Sequence, residues 1–226
     1  MQFLERFKYK CKQSTCRWRS ESYSEMKVTA RENHWPRRRA ASSRTLLFAR
    51  NFFKHPQWLG SIVPSSRFLV KRMLSRIDWQ RAGVIVEYGP GIGNITQEIL
   101  KRMRPDSVLV AIELNPEFVT FLQREVPDPR LRVVCGSASD VRSVLRQFDL
   151  PHADYIISGI PYTTLPEDIR GAILRESHGL LHPEGAFVVY QFTRAVLPSL
   201  RRTFARVQQD FELRNILPAR LFFCTR

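Results

Sequence analysis

The run Val84-Ile85-Val86-Glu87-Tyr88-Gly89-Pro90-Gly91-Ile92-Gly93-Asn94-Ile95-Thr96 has residue types and spacing suited to holding a ligand. An apolar strand runs into glycines, and a helical pattern follows at once. Glycines here let the backbone turn sharply and approach a ligand with no Cβ in the way. The spacing is G-x-G-x-G, and Asn94 stands where a G-x-G-x-x-G dinucleotide fingerprint has its third glycine. Glu113 ends the next apolar run, 24 residues after Gly89. A carboxylate there can accept both hydroxyls of a nucleoside ribose. The plain alternative is a solvated strand-end carboxylate, or one near the N-cap of a helix from Pro116; the glycine loop in register weighs against it. Glu87, just before the turn, is an odd choice for a buried strand unless a ligand or backbone amides satisfy it.

A second stretch is Ser158-Gly159-Ile160-Pro161-Tyr162-Thr163-Thr164-Leu165-Pro166. It follows a strand, and the carboxyl ends of strands in open α/β sheets are where substrates bind. A Pro-stiffened turn with Tyr162 packed as core is the alternative. His152, His178 and His182 sit in loop-like contexts and read as structural or solvent-facing.

These segments need a scaffold. Strands are expected at Val84–Tyr88, Ser107–Ile112, Leu131–Cys135, Ala153–Ser158 and Ala186–Phe192. Helices are expected near Ile95–Arg102, Pro116–Glu125, Val141–Phe148, Glu167–Ser177 and Leu197–Arg206. Short apolar strands alternating with helices imply right-handed βαβ units in an α/β fold with a mostly parallel sheet. Phe211–Ile216 and Arg220–Cys224, split by Leu217-Pro218-Ala219, read as an antiparallel closing pair. Upstream, Ser65 or Ser66 can cap a helix to about Arg76 with Phe68, Leu69, Met73 and Leu74 on one side. Before it, Leu46, Ala49 and Phe53 fall at helical spacing beside Phe52, flanked by Arg44, Arg50 and Lys54. Such a basic, aromatic stripe suits a membrane interface or the protein's own core. Residues 1–43 read as a basic, Ser-rich, disordered leader.

The 226 residues carry 36 Lys+Arg against 21 Asp+Glu, a net charge of +15, which favours anionic partners such as nucleic acid or acidic lipid. Residues 1–45 hold 12 of those cations and 4 of those anions, so the density is highest in the leader. Cys11 and Cys16 lack a second pair at finger spacing, so no metal site is expected. Cys135, in an apolar run, is expected to be a small buried residue. Neither a span-length apolar stretch nor a secretory core is present in the sequence, and the expected location is the cytoplasm.

The first-motif residues Glu87, Gly89, Gly91 and Gly93, with Glu113 as the second motif, resemble the class I methyltransferase family. The resemblance implies a Rossmann-like, seven-stranded, mostly parallel sheet with an antiparallel last strand and helices on both faces. It implies S-adenosylmethionine over the strand carboxyl ends, with the glycines facing its methionine part and Glu113 its ribose. The family's third motif carries Asp one residue after glycine, toward the adenine amine. Here Ser137 follows Gly136, so that contact would use the Ser137 hydroxyl or a backbone group.

Over residues 60–170 the chain resembles ribosomal RNA adenine dimethylases, whose acceptor motif is Asn-Leu-Pro-Tyr or close to it. Gly159-Ile160-Pro161-Tyr162 replaces that Asn with glycine, which has no amide to hold adenine. A fuller resemblance, over residues 46–226, is to bacterial phospholipid N-methyltransferases. The matching segments include Gly60-Ser61-Ile62-Val63-Pro64-Ser65-Ser66, Ser158-Gly159-Ile160-Pro161, Tyr190-Gln191-Phe192-Thr193 and Asn215-Ile216-Leu217-Pro218-Ala219-Arg220.

That resemblance implies N-methylation of a phosphatidylethanolamine-type lipid by a peripheral, monomeric enzyme on the inner face of the cell membrane. RNA adenine methylation is the alternative. Gly159, Ile160, Pro161, Tyr162, Ser65 and Ser66 would line the acceptor site. Tyr162 or Tyr190 would accept or relay the amine proton, and Ser158 would serve both cofactor and catalysis. Leu46, Phe52 and Phe53 would enter the membrane. Residues 44–80 would form a membrane and substrate cap, and 81–226 the catalytic domain.

Overall fold

Strand side chains that alternate between two helical layers explain why the expected apolar runs pair as they do. In the computed structural model, which describes residues 65–215 and 217–226, Ile85, Leu109, Tyr155, Val188 and Phe223 face one layer. Val86, Val110, Ile156, Phe187 and Phe222 face the other. Strands buried on both faces read as continuous Val/Ile/Leu runs, and parallel sheets require that burial.

The strands are β1 (Val84–Tyr88), β2 (Val108–Glu113), β3 (Leu131–Cys135), β4 (Ala153–Ser158), β5 (Leu181–Gln191), β6 (Arg206–Glu212) and β7 (Ala219–Thr225). They form one seven-stranded sheet in the order β3-β2-β1-β4-β5-β7-β6. Strands β1 to β5 are mutually parallel, while β7 is antiparallel to both β5 and β6. Hence β6 points the same way as β1–β5, and β7 is the reversed strand. The sheet is the Rossmann-like one expected, with its last strand antiparallel.

The helices are α1 (Arg67–Leu74), α2 (Asn94–Leu100), α3 (Pro116–Glu125), α4 (Val141–Arg146), α5 (Glu167–Leu180) and α6 (Leu197–Thr203). Ser66 caps α1 by accepting from the Leu69 amide at 3.2 Å. Asn115 caps α3 from the Glu117 amide at 2.9 Å, with Pro116 in the first turn, where no amide partner is needed.

Four expectations need correction. The helix expected to reach Arg206 stops at Thr203, and a strand begins at Arg206. The closing strand expected at Phe211–Ile216 is Arg206–Glu212. As the sheet's edge, β6 keeps Gln208, Gln209 and Asp210 without an apolar alternation to announce it. Cys135 is exposed, because β3 is the opposite edge and its last residues are uncovered. The strand expected at Ala186–Phe192 also begins earlier, at Leu181. The leader, the Leu46–Phe53 stripe and Val63-Pro64 lie outside the described residues.

Helix α1 shares a core with β1, β2 and β7 through Leu69, Met73 and Leu74, so it belongs to the body of the domain. Its polar side is fixed to the sheet edge. Arg72 bonds Asp210 and Glu212, each at 2.9 Å, and the Arg76 guanidinium lies 4.2 Å from the Phe223 ring centre. The side-chain and backbone bonds of Arg214, with Arg72 behind them, hold the Glu212 carboxyl down at about 2. A depressed folded value stabilises above the ordinary value of 4.5 and stops doing so as pH falls through about 2. Glu212→Gln is therefore expected to lower the melting temperature at neutral pH. The gap to the parent chain should close across that acid window, as thermal melts at stepped pH will read.

Candidate active site

The cofactor loop is built by three left-handed glycines and one carboxylate. Gly89, Gly91 and Gly93 have φ of +67°, +56° and +80°, a region that side chains with a Cβ rarely adopt. A Cβ on Gly93 would also stand 2.6 Å from Leu122 Cδ2 on α3, so this position is closed by packing as well. Gly89 N donates to Ile112 O at 2.9 Å, extending the β1–β2 ladder into the turn.

Glu113, at the end of β2, accepts from Gly91 N at 3.0 Å and from Asn115 N at 2.9 Å. It thereby ties the glycine loop to the start of α3. Burial pushes its carboxyl above the ordinary range, against the pull of those backbone amides. A carboxylate accepts at roughly four lone-pair sites, so capacity remains for further donors.

Glu87 carries the plainest sign of a missing ligand. It is 1% exposed, and one oxygen accepts from Thr96 Oγ1 at 2.7 Å. The other, Oε1, has no partner among the described residues. Buried polar groups are nearly always satisfied, so an orphan beside a glycine cradle fits a donor or cation supplied by a ligand. Burial, with some repulsion from Glu113, raises this carboxyl from 4.5 to about 8. A raised folded value stabilises the ligand-free chain fully below about 4.5, and that contribution is lost as pH rises through about 8. Glu87→Gln, which cannot ionise, should therefore melt higher than the parent at pH above 8 and show little advantage near pH 5. Equal melting curves at both pH values would contradict that reading of Glu87.

The acceptor loop leans on the cofactor loop. Gly159 N donates to Tyr88 O at 3.0 Å, and a Cβ on Gly89 would lie 3.6 Å from Ile160 Cγ1. Gln191, at the end of β5, clamps this loop by donating to Ile160 O at 2.7 Å and to Tyr190 O at 2.6 Å. A Cβ on Gly159 would meet Tyr190 Cε1 at 3.3 Å, its hydroxyl at 3.4 Å and Gly89 O at 3.4 Å. A Cβ at 159 would therefore fit only if the Tyr190 phenol gave way by a few tenths of an ångström. Beside it a recess of about 210 Å³ is lined by Pro161, Thr163, Tyr190, Gln191, Phe192 and Thr193.

The expected site residues separate on this frame. Gly89, Gly91, Gly93, Glu87 and Glu113 converge at one loop, with Gly159, Ile160, Pro161 and Tyr190 beside it. Ser65 joins them, its hydroxyl donating to Tyr190 Oη at 3.4 Å.

Tyr162 does not join them as a proton acceptor. It is fully buried, edge-on to Phe187, with its hydroxyl 3.0 Å from Ser158 Oγ, and burial drives its ionisation far above the ordinary phenol value. Ser158 is likewise fully buried against that phenol. Both side chains lie on the helical layer opposite Tyr190, so the catalytic roles expected of them are corrected to support of the loop from below. Ser66 uses its hydroxyl as a helix cap, accepting from Leu69 N. Ser137 stands at the end of β3, its hydroxyl accepting from Ser139 N at 3.2 Å. Gly136 before it borders open space.

Thr96 and Gln191 are the residues the sequence did not single out. Thr96 is one turn along the helix from the glycines, a spacing that could have pointed to Glu87. Gln191 has no local signal, since its partner is 31 residues away.

The family described as ribosomal RNA adenine dimethylase matches residues 54–182. Among curated proteins, ornithine lipid N-methyltransferase of Singulisphaera acidiphila is 33% identical over 79% of this chain and 94% of its own length. A probable ribosomal RNA small subunit methyltransferase A of Methanosarcina acetivorans is 28% identical over 56% of this chain, which spans 42% of that protein. Among solved structures, precorrin-6y C5,15-methyltransferase of Geobacter metallireducens shares the fold. Its TM-score is 0.57 at 17% identity, over 70% of this chain and 88% of that one.

Proposed function

Because the chain belongs to the ribosomal RNA adenine dimethylase family of class I S-adenosylmethionine-dependent methyltransferases, its cofactor is S-adenosylmethionine, and we propose that its acceptor is the amine of a membrane lipid. The observation that carries the acceptor assignment is the pairing of Gly159 with Tyr190. Glycine at 159 offers no side-chain amide to hold an adenine amine, and even a Cβ there would press on that phenol at 3.3 Å. The relative from Singulisphaera acidiphila, matched over nearly its whole length and named for a lipid, supports the same choice. Phosphatidylethanolamine and ornithine lipid share the feature that matters, a primary amine at the head of an acylated molecule.

The residues present fit the cofactor. The glycine cradle admits a close backbone approach, the unpartnered Glu87 Oε1 suits a cationic ligand group, and Glu113 has acceptor capacity for ribose hydroxyls. Bound there, S-adenosylmethionine supplies an electrophilic methyl group. The acceptor nitrogen would take that methyl, S-adenosylhomocysteine would leave, and the amine proton would pass to solvent.

This chain's part is placement. Burial keeps the Tyr190 phenol neutral at physiological pH, so it orients the amine by accepting an N–H and is no phenolate base. Gln191 fixes the Ile160 carbonyl and so the rim of the acceptor recess. Correct placement in a water-poor cleft supplies most of the acceleration such a transfer needs.

RNA methylation is the second reading, favoured by the family match and by the net charge of +15. Purified full-length chain with methyl-labelled S-adenosylmethionine should label vesicles containing phosphatidylethanolamine or ornithine lipid. Ribosomal RNA should stay unlabelled. Label in RNA with none in either lipid would replace the lipid reading by the RNA one.

A further inference from the structure

Three of the five exposed large apolar side chains among the described residues crowd into one short stretch: Phe211, Leu213 and Leu217 are 38%, 68% and 48% exposed. The last two stand in the turn between β6 and β7. Apolar side chains exposed together on a soluble domain mark a contact surface more often than chance. Arginines flank this one on both faces of the sheet. Arg67 and Arg214 stack on the Phe68 ring at 4.8 and 4.4 Å, and Arg220 lies over Phe211 at 4.9 Å. Of the neighbouring acids, Asp210 pairs with Arg72 while Glu212 pairs with Arg72 and, at 3.1 Å, with Arg214, so Arg67 and Arg220 carry the charge at the tip.

The turn also lies at the working end of the sheet. Since β6 and β5 point the same way, residues 213–215 and 217–218 project from the edge that carries the Gly89 and Gly159 loops. The link is direct as well. Asn215 Oδ1 accepts from Ser66 N at 2.8 Å, and the adjacent Ser65 donates to the Tyr190 hydroxyl.

We propose that the β6–β7 turn is the surface on which this enzyme meets an anionic bilayer. Leu213 and Leu217 enter the lipid interface while Arg67 and Arg220 meet lipid phosphates. Apolar tips ringed by arginine fit that occupant by charge and by chemistry. A nucleic-acid surface would call for exposed aromatic planes at the tip, where this turn offers leucines. Docked in this way, the rim holding Tyr190 faces the plane in which an amine head group lies. The inference rests on the lipid reading above.

The test uses full-length chain and sedimentation with phosphatidylcholine vesicles, with and without phosphatidylglycerol, in the absence of turnover. Leu213→Ser with Leu217→Ser is expected to weaken partitioning onto anionic vesicles at least about ten-fold, as loss of buried apolar surface requires. Arg220→Gln should cost about five-fold on anionic vesicles and nothing on neutral ones, in line with ~1 kcal/mol per basic residue. S-adenosylmethionine affinity, read by calorimetry, should hold in each variant and certifies the fold. Leu213→Trp keeps an apolar side chain and should show blue-shifted emission with anionic vesicles, quenched by brominated lipid.

Unchanged partitioning of the double serine variant, or Leu213→Trp emission indifferent to vesicles, would overturn the proposal. So would a double variant that loses RNA binding or a dimer while keeping vesicle binding. Failure here differs from failure of the lipid reading. Lipid in detergent micelles would still be methylated if only the docking surface is wrong, and would stay unlabelled if the acceptor is RNA.

Discussion

Glu113→Ala should weaken S-adenosylmethionine binding by about 100-fold or more, the largest loss expected from any single site residue. The carboxylate acts twice. It holds the Gly91 amide at 3.0 Å and the Asn115 amide at 2.9 Å, so it shapes the glycine loop before any ligand arrives. Its remaining acceptor capacity, at the carboxyl end of β2, would serve the ribose hydroxyls. Removing it leaves the part-buried Gly91 amide without its acceptor and the ribose hydroxyls without theirs. Hydrogen bonds to a charged group are worth about 1.5–3 kcal/mol each, and two such losses exceed the 100-fold mark. Calorimetric titration will measure it. Glu113→Gln, which keeps one acceptor oxygen, should fall between the two, and an affinity in Glu113→Ala within a few-fold of the parent would refute the assignment.

Tyr190→Phe is expected to reduce the rate of lipid methylation by roughly 10- to 100-fold, the scale on which misplacement of a reacting group is felt. Cofactor affinity should be untouched, because none of the glycine-loop contacts involves the phenol. The ring stays in place in this variant, so packing against Phe192, 6.3 Å between centres, is preserved and only the hydroxyl is lost. A positioning role predicts that kcat falls while the lipid KM changes little. A merely structural role predicts a lower melting temperature and an unchanged kcat in the folded fraction.

Gly159→Asn is the companion measurement. Its Cβ would press on Tyr190 at 3.3 Å, so it should also depress lipid methylation, and it should not bring adenine methylation with it. Gain of RNA methylation in Gly159→Asn would show that Tyr190 does not exclude the base.

The sequence by itself determined the cofactor site and the fold. Gly89, Gly91 and Gly93 need positive φ, Glu113 must end the neighbouring strand, and apolar runs of strand length alternate with helices. Each of these is a local constraint, legible wherever a residue type has few alternatives. The edge strand was not legible in this way: β6 is polar because one side of it has no neighbour to cover it.

Tertiary structure alone decided which tyrosine lines the recess beside Gly159. Tyr162 and Tyr190 both close a strand or its loop beside the cleft, and nothing local distinguishes them. Alternation across the sheet sends Tyr190 to the layer of Glu87 and Ser65, and packing on the opposite layer seals Tyr162 against Phe187 and Ser158. The space missing at Gly159 belongs to the same decision. It is taken by a side chain 31 residues away, and only the pairing of β4 with β5 brings that phenol across.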